Sequence, residues 1–344
     1  MTPREDEIRS APAANCRICG GAGEPLYAGM RDRLFAAAGD WACRRCINPA
    51  CGLVWLDPMP LEADIHKAYA SYYTHAGHAA KGGLAGRLMA AAKRGYLANR
   101  YGYAASPADR LLGLLPWIYP GRAAELDFSV MWLAPGARGR LLDVGAGSGW
   151  LVEHMCAQGW RAEGLDFDER SVKAAHERGL VMHSGGLPEQ KFPEASFDAI
   201  TMSHSIEHVH DPVAWLTEVR RILKPGGRLS LATPNTRSYG HQVFGEHWFA
   251  LDPPRHLHLF NPGAMAIALR AAGFTRFRIG TSIRDANGTF IAGRAIRARG
   301  RFDMTAPQPV LEKVRGRAWQ LAEAVVKFFR PDAGEDLVVL AEKE

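Results

Sequence analysis

The chain has 344 residues, 47% of them hydrophobic and 23% charged, with a formal net charge of +6. That composition describes an ordinary globular protein with room for a sizeable core and one or two accessory modules, and it excludes a disordered or fibrous chain. The longest apolar runs, such as "LLGLLPWIY" (111–119), fall well short of the roughly 18 residues that a membrane-spanning helix needs.

The opening "MTPREDEIRS" is charged and lacks the apolar stretch of a secretory signal. Residues 1–12 are therefore expected as a flexible tail, and the chain as cytoplasmic, where thiols stay reduced. Five of the six cysteines follow within the first 51 residues, as "CRIC" and "CRRCINPAC". Two cysteine pairs about two dozen residues apart have the spacing of a zinc ribbon, in which four thiolates hold a tetrahedral Zn²⁺ in place of a core too small to fold alone. Gly20 and Gly52, each directly after a cysteine, suit the tight turns of such knuckles. The expected ligands are thus Cys16, Cys19, Cys46 and Cys51, with Cys43 as the spare, in a ribbon spanning 13–60.

Residues 61–135 are rich in Ala, Gly and Tyr, include "AYASYYTH", and read as a helical linker or lid. A basic helical stretch here carries Arg87, Lys93, Arg94 and Arg100, and a second cluster at 293–301 adds Arg294, Arg297, Arg299 and Arg301. Such clusters suit an anionic partner, either phosphates or a membrane surface, and equally a solvated helix face.

From Arg140 the pattern becomes regular. "RLLDVGAGSG" is a buried strand entering a glycine-rich turn, "WLVEHMCAQG" a helix with Cys156 in its core, and "RAEGLDFD" a strand ending at Asp166. The helix "ERSVKAAHERG", the strand "LVMHSG", the strand "FDAITMSH", the helix "DPVAWLTEVRRILKPGG" and the strand "RLSLATPN" follow. Strands alternating with helices imply a parallel sheet covered on both faces, and right-handed crossovers make it an α/β, Rossmann-like doubly wound sheet.

Between strand and helix stands "HSIEH" (204–208), which spells the H-x-x-E-H of one group of zinc peptidases. That chemistry needs both histidines on one face of a continuous helix, so that both reach one metal. Here His204 falls at the end of a strand, and the next helix begins only at Asp211-Pro212, an N-cap followed by Pro in the first turn. The peptidase reading is therefore rejected. Glu207 and His208 are read as ordering the loop first and binding metal second.

Gly145, Gly147 and Gly149 let backbone approach a ligand closely in front of a helix N-terminus. Their spacing is G-x-G-x-G, not the G-x-G-x-x-G of dinucleotide enzymes. Asp166, some twenty residues on, suits ribose hydroxyls in either case, so the loop alone does not choose the ligand.

Taken together, "LLDVGAGSGW", "GLDFDERSV", "FDAITMSHSIEHVHDP" and "LKPGGRLSLATPN" resemble the class I S-adenosylmethionine-dependent methyltransferases over about 140 residues. "EHVHDP" with "LKPGG" resembles the branch containing polyprenyl-phenol O-methyltransferases and small-molecule methyltransferases, and "CRICG … CGLVWLDPMP" resembles the zinc-binding head of some bacterial sugar C-methyltransferases. One departure is that four residues, not two, separate Cys46 from Cys51. The resemblance implies S-adenosyl-L-methionine as cofactor. It also implies that Asp143 and the glycine loop face its amino-acid part, Asp166 its ribose and Phe167 its adenine, with Leu187 bordering the adenine and His204 beneath the methionine portion. In polyprenyl-phenol O-methyltransferases an acidic residue three positions before the Glu-His pair helps bind a divalent metal. Here that residue is His204, which removes a hard oxygen ligand.

After the fifth strand, "FGEHWFALDPPRHLHLFNPGAM" places His256 and His258 in a loop at the carboxyl edge of the sheet, where ligands bind in such folds. His256 matches a histidine common in the resembled branch and is the expected base or substrate-orienting group. "GFTRFRIGTS" (273–282) and "DLVVLAEK" (336–343) read as the last two strands, the final one antiparallel, so the methyltransferase unit covers 136–282 and 334–344. Within the helical insertion at 283–333, Leu311, Val314, Ala318, Leu321, Val325 and Phe328 recur at helical spacing. That stripe is expected to pack inside the molecule, with a lid, a second subunit or a membrane surface as alternatives.

The sequence thus predicts a zinc ribbon, a helical lid and a Rossmann-like catalytic unit that methylates a small, polar and possibly anionic acceptor, a sugar or nucleotide-sugar by the resemblance of its head. A zinc-ribbon RNA methyltransferase and a non-catalytic cofactor-binding partner are the rivals. No motif speaks to oligomeric state.

Overall fold

The computed structural model describes residues 7–69, 83–136 and 139–344. Within "AYASYYTH", the residues from Ala70 on lie outside the described residues. The cysteine-bearing head consists of β1 (Ser10–Ala11), β2 (Gly23–Met30), β3 (Trp41–Cys46), β4 (Val54–Leu56) and β5 (Met59–Pro60). Three helices follow, α1 (Leu84–Tyr101), α2 (Pro107–Leu112) and α3 (Pro120–Phe128). The main unit runs through β6 (Arg140–Val144), α4 (Trp150–Ala157), β7 (Arg161–Asp166), α5 (Glu169–Glu177), β8 (Met182–Ser184), β9 (Phe197–Ser203), α6 (Pro212–Ile222) and β10 (Leu223–Pro234). It continues through α7 (Tyr239–Phe244), β11 (His258–Leu259), α8 (Pro262–Ala271), β12 (Arg276–Ser282), α9 (Ala286–Arg299), α10 (Val310–Phe329) and β13 (Asp336–Glu342).

Seven strands form the central sheet in the order β12-β13-β10-β9-β6-β7-β8. The pairings β10–β9, β9–β6, β6–β7 and β7–β8 are parallel, and β13 inserts antiparallel between β10 and β12. Strand order reverses between β6 and β9, so the crevice above their carboxyl ends is the topological switch point where such sheets bind ligands. The inner strands read as near-continuous apolar runs because both faces are covered: Leu141, Leu142, Ile200, Met202, Leu229 and Leu231 have no exposed surface. As the sequence predicts, Asp211 caps α6 by accepting from the Ala214 amide, with Pro212 in the first turn. The helix stops at Ile222, and the Lys-Pro-Gly-Gly stretch belongs to the irregular start of β10 rather than to the helix.

The head is not a separate bead. Its sheet has the order β11-β4-β3-β2, and the edge strand β11 comes from the main unit. Cys16, Cys46, Cys51, Leu53 and Trp55 share one core with Leu142 and Phe260. Asn261 strengthens the joint: its side-chain amide donates to the carbonyls of Cys51 and Gly52, both at 2.8 Å, while its oxygen caps α8.

Several expectations are corrected here. Residues 7–12 are not a loose tail: β1 pairs with β5, Ile8 is buried, and Arg9 grips the buried Asp64 carboxylate. Cys156 lies on the exposed side of α4 rather than in the core, its thiol turned toward the Ala162 carbonyl at 3.6 Å. His258 is not in a loop with His256 but in β11, paired across from Trp55 of the head. Most marked is α10. It docks through Gly316, Gln320 and Glu323, so the apolar stripe expected to pack inward faces out, with Phe328 81% exposed.

Candidate functional site

The glycine turn leaves β6 with Gly145 at φ +80°, Gly147 at +51° and Gly149 at +74°, a left-handed path that side chains other than glycine's resist. A Cβ on Gly145 would also stand 2.7 Å from that of Ser205. Gly149 is the N-cap of α4 and has no side chain to cover the helix's free amides, which remain available for an anionic group. Beneath the turn, Asp143 is buried and accepts from Thr201 Oγ1 at 2.7 Å, and burial pushes its carboxyl up to about 7. At the end of β7, Asp166 accepts from the amides of Gly147 at 2.7 Å and Asp168 at 2.9 Å. Phe167, 54% exposed, meets the edge of Tyr69 at 5.0 Å between ring centres. Leu187 is wholly enclosed in the core, so of the two expected adenine-side residues only Phe167 has surface free to meet a base.

A second group gathers at the carboxyl ends of β9 and β10. His204 leaves β9 with φ +49°, and Glu207 and His208 form one short turn before α6, which is why "HSIEH" cannot act as a helical peptidase motif. Glu207 is buried and accepts from Thr233 Oγ1 at 2.9 Å through Oε2. Its Oε1 has no hydrogen-bond partner and faces His204 Nδ1 at 3.5 Å and His256 Nε2 at 4.0 Å. Burial alone would raise this carboxyl, but the facing His204 and the nearby His208 and His256 rings bring it down to about 2, so it is ionised.

His256 Nδ1 lies 2.7 Å from the Ala250 carbonyl oxygen, which can only accept, so Nδ1 carries the proton and Nε2 keeps its lone pair. That nitrogen stands 4.0 Å from Asp252 Oδ2 as well as from Glu207. The His208 ring meets His256 edge-on at 4.8 Å, and burial pushes its pKa down to about 4. His208 Nδ1 faces the Tyr69 hydroxyl at 2.9 Å and the Arg255 carbonyl at 3.1 Å. Arg284, stacked over Phe128 of α3, donates to His204 Nε2 at 2.8 Å.

His258, the other expected catalytic histidine, is brought to neither group. Its Nε2 faces the His210 carbonyl at 3.4 Å, and it lines a cavity of about 430 Å³ with head residues that include Asn15 and Arg17. Tyr69, Asp252, Arg255 and Arg284 were not singled out from the sequence. Charged residues within the aromatic stretch "HWFALDPPRHLHLF" are the available signal for Asp252 and Arg255; for Tyr69 and Arg284, sequence offers none.

Residues 121–276 match a family described as "Methyltransferase domain". The chain is 34% identical over 189 residues to a ubiquinone biosynthesis O-methyltransferase of Xanthomonas oryzae, covering 51% of this chain and 76% of that one. It is 32% identical over 168 residues to one of Maricaulis maris, covering 45% and 66%. The chain belongs to the S-adenosylmethionine-dependent methyltransferases. An S-adenosylmethionine-dependent methyltransferase of Mesorhizobium loti is a solved structural relative, with 19% identity, 64% of this chain and 98% of that chain covered, and a TM-score of 0.44.

The residues present fit the cofactor of such an enzyme: a cradle that a Cβ at Gly145 would fill, open helix amides, and two carboxylates at the ends of adjacent strands. They also fit a zinc ion in the head. The thiols of Cys16, Cys19, Cys46 and Cys51 lie within 4.8 Å of one another, with Cys16–Cys51 at 3.7 Å and Cys19–Cys46 at 3.4 Å. Tetrahedral zinc–thiolate bonds of about 2.3 Å put sulfurs roughly 3.8 Å apart. Gly20 and Gly52 adopt φ +72° and +61°, the knuckle geometry predicted for them. Cys43 points to the other face of β3, into a core with Met30 and Trp41.

Proposed function

We propose that the protein transfers the methyl group of S-adenosylmethionine to a hydroxyl or activated carbon of a small polar acceptor, a sugar or nucleotide-sugar, with His256 as general base. The observation that carries this reading is the His256 tautomer. With Nδ1–H tied to the Ala250 carbonyl, the free lone pair of Nε2 is set between the Glu207 and Asp252 carboxylates. A proton taken from the acceptor leaves an imidazolium, and these two anions stabilise it.

The cofactor, when bound, supplies an activated methyl on a sulfonium. The protein's part is to align the acceptor and hold its proton. In this reading Asp143, Gly145, Gly147 and Gly149 hold the amino-acid part, Asp166 holds the ribose hydroxyls, and Phe167 packs on the adenine. His204 supports the methionine end, its ring locked between Arg284 and Glu207. Zinc on Cys16, Cys19, Cys46 and Cys51 stabilises the head.

Transfer of labelled methyl to a panel of sugar, nucleotide-sugar, phenolic and RNA acceptors tests the assignment. Incorporation into a sugar-type acceptor that collapses in His256→Gln supports it, and incorporation into RNA alone refutes it.

A second acceptor class has its own support. Glu207, His208 and His256 present ligand atoms within 4.8 Å of one another, and the two curated relatives above are named for O-methylation in ubiquinone biosynthesis. A divalent ion on this triad would suit a phenolic hydroxyl, and the same panel run with and without added Mg²⁺ separates the two.

A further inference from the structure

No helix among the described residues is long and apolar enough to cross a membrane, yet the molecule carries a large apolar surface that it does not cover. Fourteen of the twenty-one large apolar side chains exposed among the described residues belong to α1, to α2 with the helical turn Leu115–Ile118 behind it, and to α10. Ile118 is 79% exposed, Leu111 71%, Leu84 74%, Val310 77%, Phe328 81% and Phe329 76%. Monomeric proteins seldom expose a contiguous apolar patch beyond a few hundred Å² without a partner for it.

These elements are joined to one another. Tyr119, at the end of the Leu115–Ile118 turn, donates to Gln320 of α10, and Gly121 abuts the same side chain. Trp117 lies against Tyr96 of α1 at 5.2 Å and under the guanidinium of Arg100, and α2 is tied along α1 by Arg94–Asp109 and Asn99–Arg110. The inverted polarity of α10 is the telling feature. Its docked side carries Gly316, Gln320 and Glu323, and the opposite side carries Leu311, Val314, Leu321, Val325 and Phe328. A helix that hides a glutamate and shows water a row of aliphatic side chains has a second apolar medium to meet.

Charge indicates which medium. Between Gly83 and Arg122 six Lys and Arg stand against one Asp, and between Val310 and Arg330 five stand against two Glu, in a chain whose whole net charge is +6. At 3.6 residues per turn, exposed Arg315 and Arg317 fall on the two flanks of the α10 stripe, where long side chains lay their stems on apolar surface and keep their cationic heads at its rim. An apolar stripe bordered by cations complements a bilayer of anionic headgroups over acyl chains.

We propose that the face built from α1, α2 with its following turn, and α10 docks on an anionic lipid surface, with the α10 stripe entering the headgroup layer. The proposal does not depend on which acceptor the enzyme methylates.

The test is co-sedimentation of the full chain with phosphatidylcholine vesicles, with and without about one third phosphatidylglycerol, at low and high salt. The expected result is binding to the anionic vesicles, roughly tenfold weaker on the neutral ones and weakened by salt. Val325→Ser with Phe328→Ser should lower it at least tenfold, and so should Arg315→Glu with Arg317→Glu, while both variants keep the wild-type affinity for S-adenosylhomocysteine as evidence of an intact fold. Wild type that leaves all vesicles unbound, whether it stays monomeric, self-associates through this face or binds RNA instead, overturns the proposal. So does vesicle binding that neither pair of substitutions alters.

Discussion

Arg255 donates to both carboxylate oxygens of Asp32 at 2.8 Å across 223 positions of sequence, with neither side chain exposed. The same guanidinium takes Asp252 through Nε at 2.9 Å, and the next residue along is His256. The loop that carries the proposed base is therefore held by the head, and the head by that loop. Removing the guanidinium leaves two buried carboxylates without their cation, a change that typically costs about 3–5 kcal/mol. Arg255→Ala should lose stability on that scale in urea unfolding. Burial pushes the Asp32 carboxyl up and Arg255 more than reverses this, so its folded pKa lies below the ordinary value. The stability it contributes is then present above about pH 4 and lost as pH falls through the depressed value. Arg255→Ala should show less acid sensitivity over that window than wild type.

The cysteine head makes a stoichiometric prediction. Metal analysis should find one zinc per chain, lost in Cys46→Ser and kept in Cys43→Ser, because Cys43 faces a different core. Since the four thiols share a core with Leu142 and Phe260, chelation should lower the unfolding temperature of the whole chain rather than melt the head alone.

Asp143 gives a signature near neutrality. Burial holds its carboxyl up at about 7, well above its unfolded value. A raised folded pKa contributes stability that is complete below the unfolded pKa, about 4, and is lost as pH rises through 7. The cofactor-free wild type should therefore lose more stability than Asp143→Asn between about pH 4 and pH 7. That difference is read from unfolding midpoints at each pH.

For His256, the expected result is a split between chemistry and binding. His256→Gln should lower kcat by about 10²–10⁴ while leaving affinity for S-adenosylhomocysteine within a factor of about two, because the proposed role of the ring is to take the acceptor's proton and not to shape the glycine cradle. Glu207→Gln should slow the reaction as well, since it removes one of the two anions set to stabilise the imidazolium formed when Nε2 takes the proton.

How much of this was legible in the sequence follows from what is local and what is not. The strand–glycine–helix repeats read correctly because each apolar run and cap is set by neighbours in sequence, and the glycines after Cys19 and Cys51 revealed their left-handed turns for the same reason. His258 was misplaced because nothing in "HLHLF" says that it pairs with Trp55, some two hundred residues earlier. Cys156 is one residue from the buried Met155 on α4, and helical spacing alone could not set the phase finely enough to turn it outward. The stripe on α10 was correctly seen as a stripe. The expectation that it packs inward failed, because amphipathic spacing specifies a face and not its partner. The link from Arg255 to Asp32 is a pairing of two loops, for which no periodicity exists.

The most direct measurement is calorimetric titration of S-adenosylhomocysteine into wild type and Asp166→Ala. Saturable binding at one molecule per chain, weakened by a factor of roughly a hundred or more in the variant, is the predicted result, since the Asp166 carboxylate closes the glycine turn and would lose two charge-assisted hydrogen bonds to ribose. Wild type that stays silent with this ligand, or that takes up NAD instead, contradicts the account.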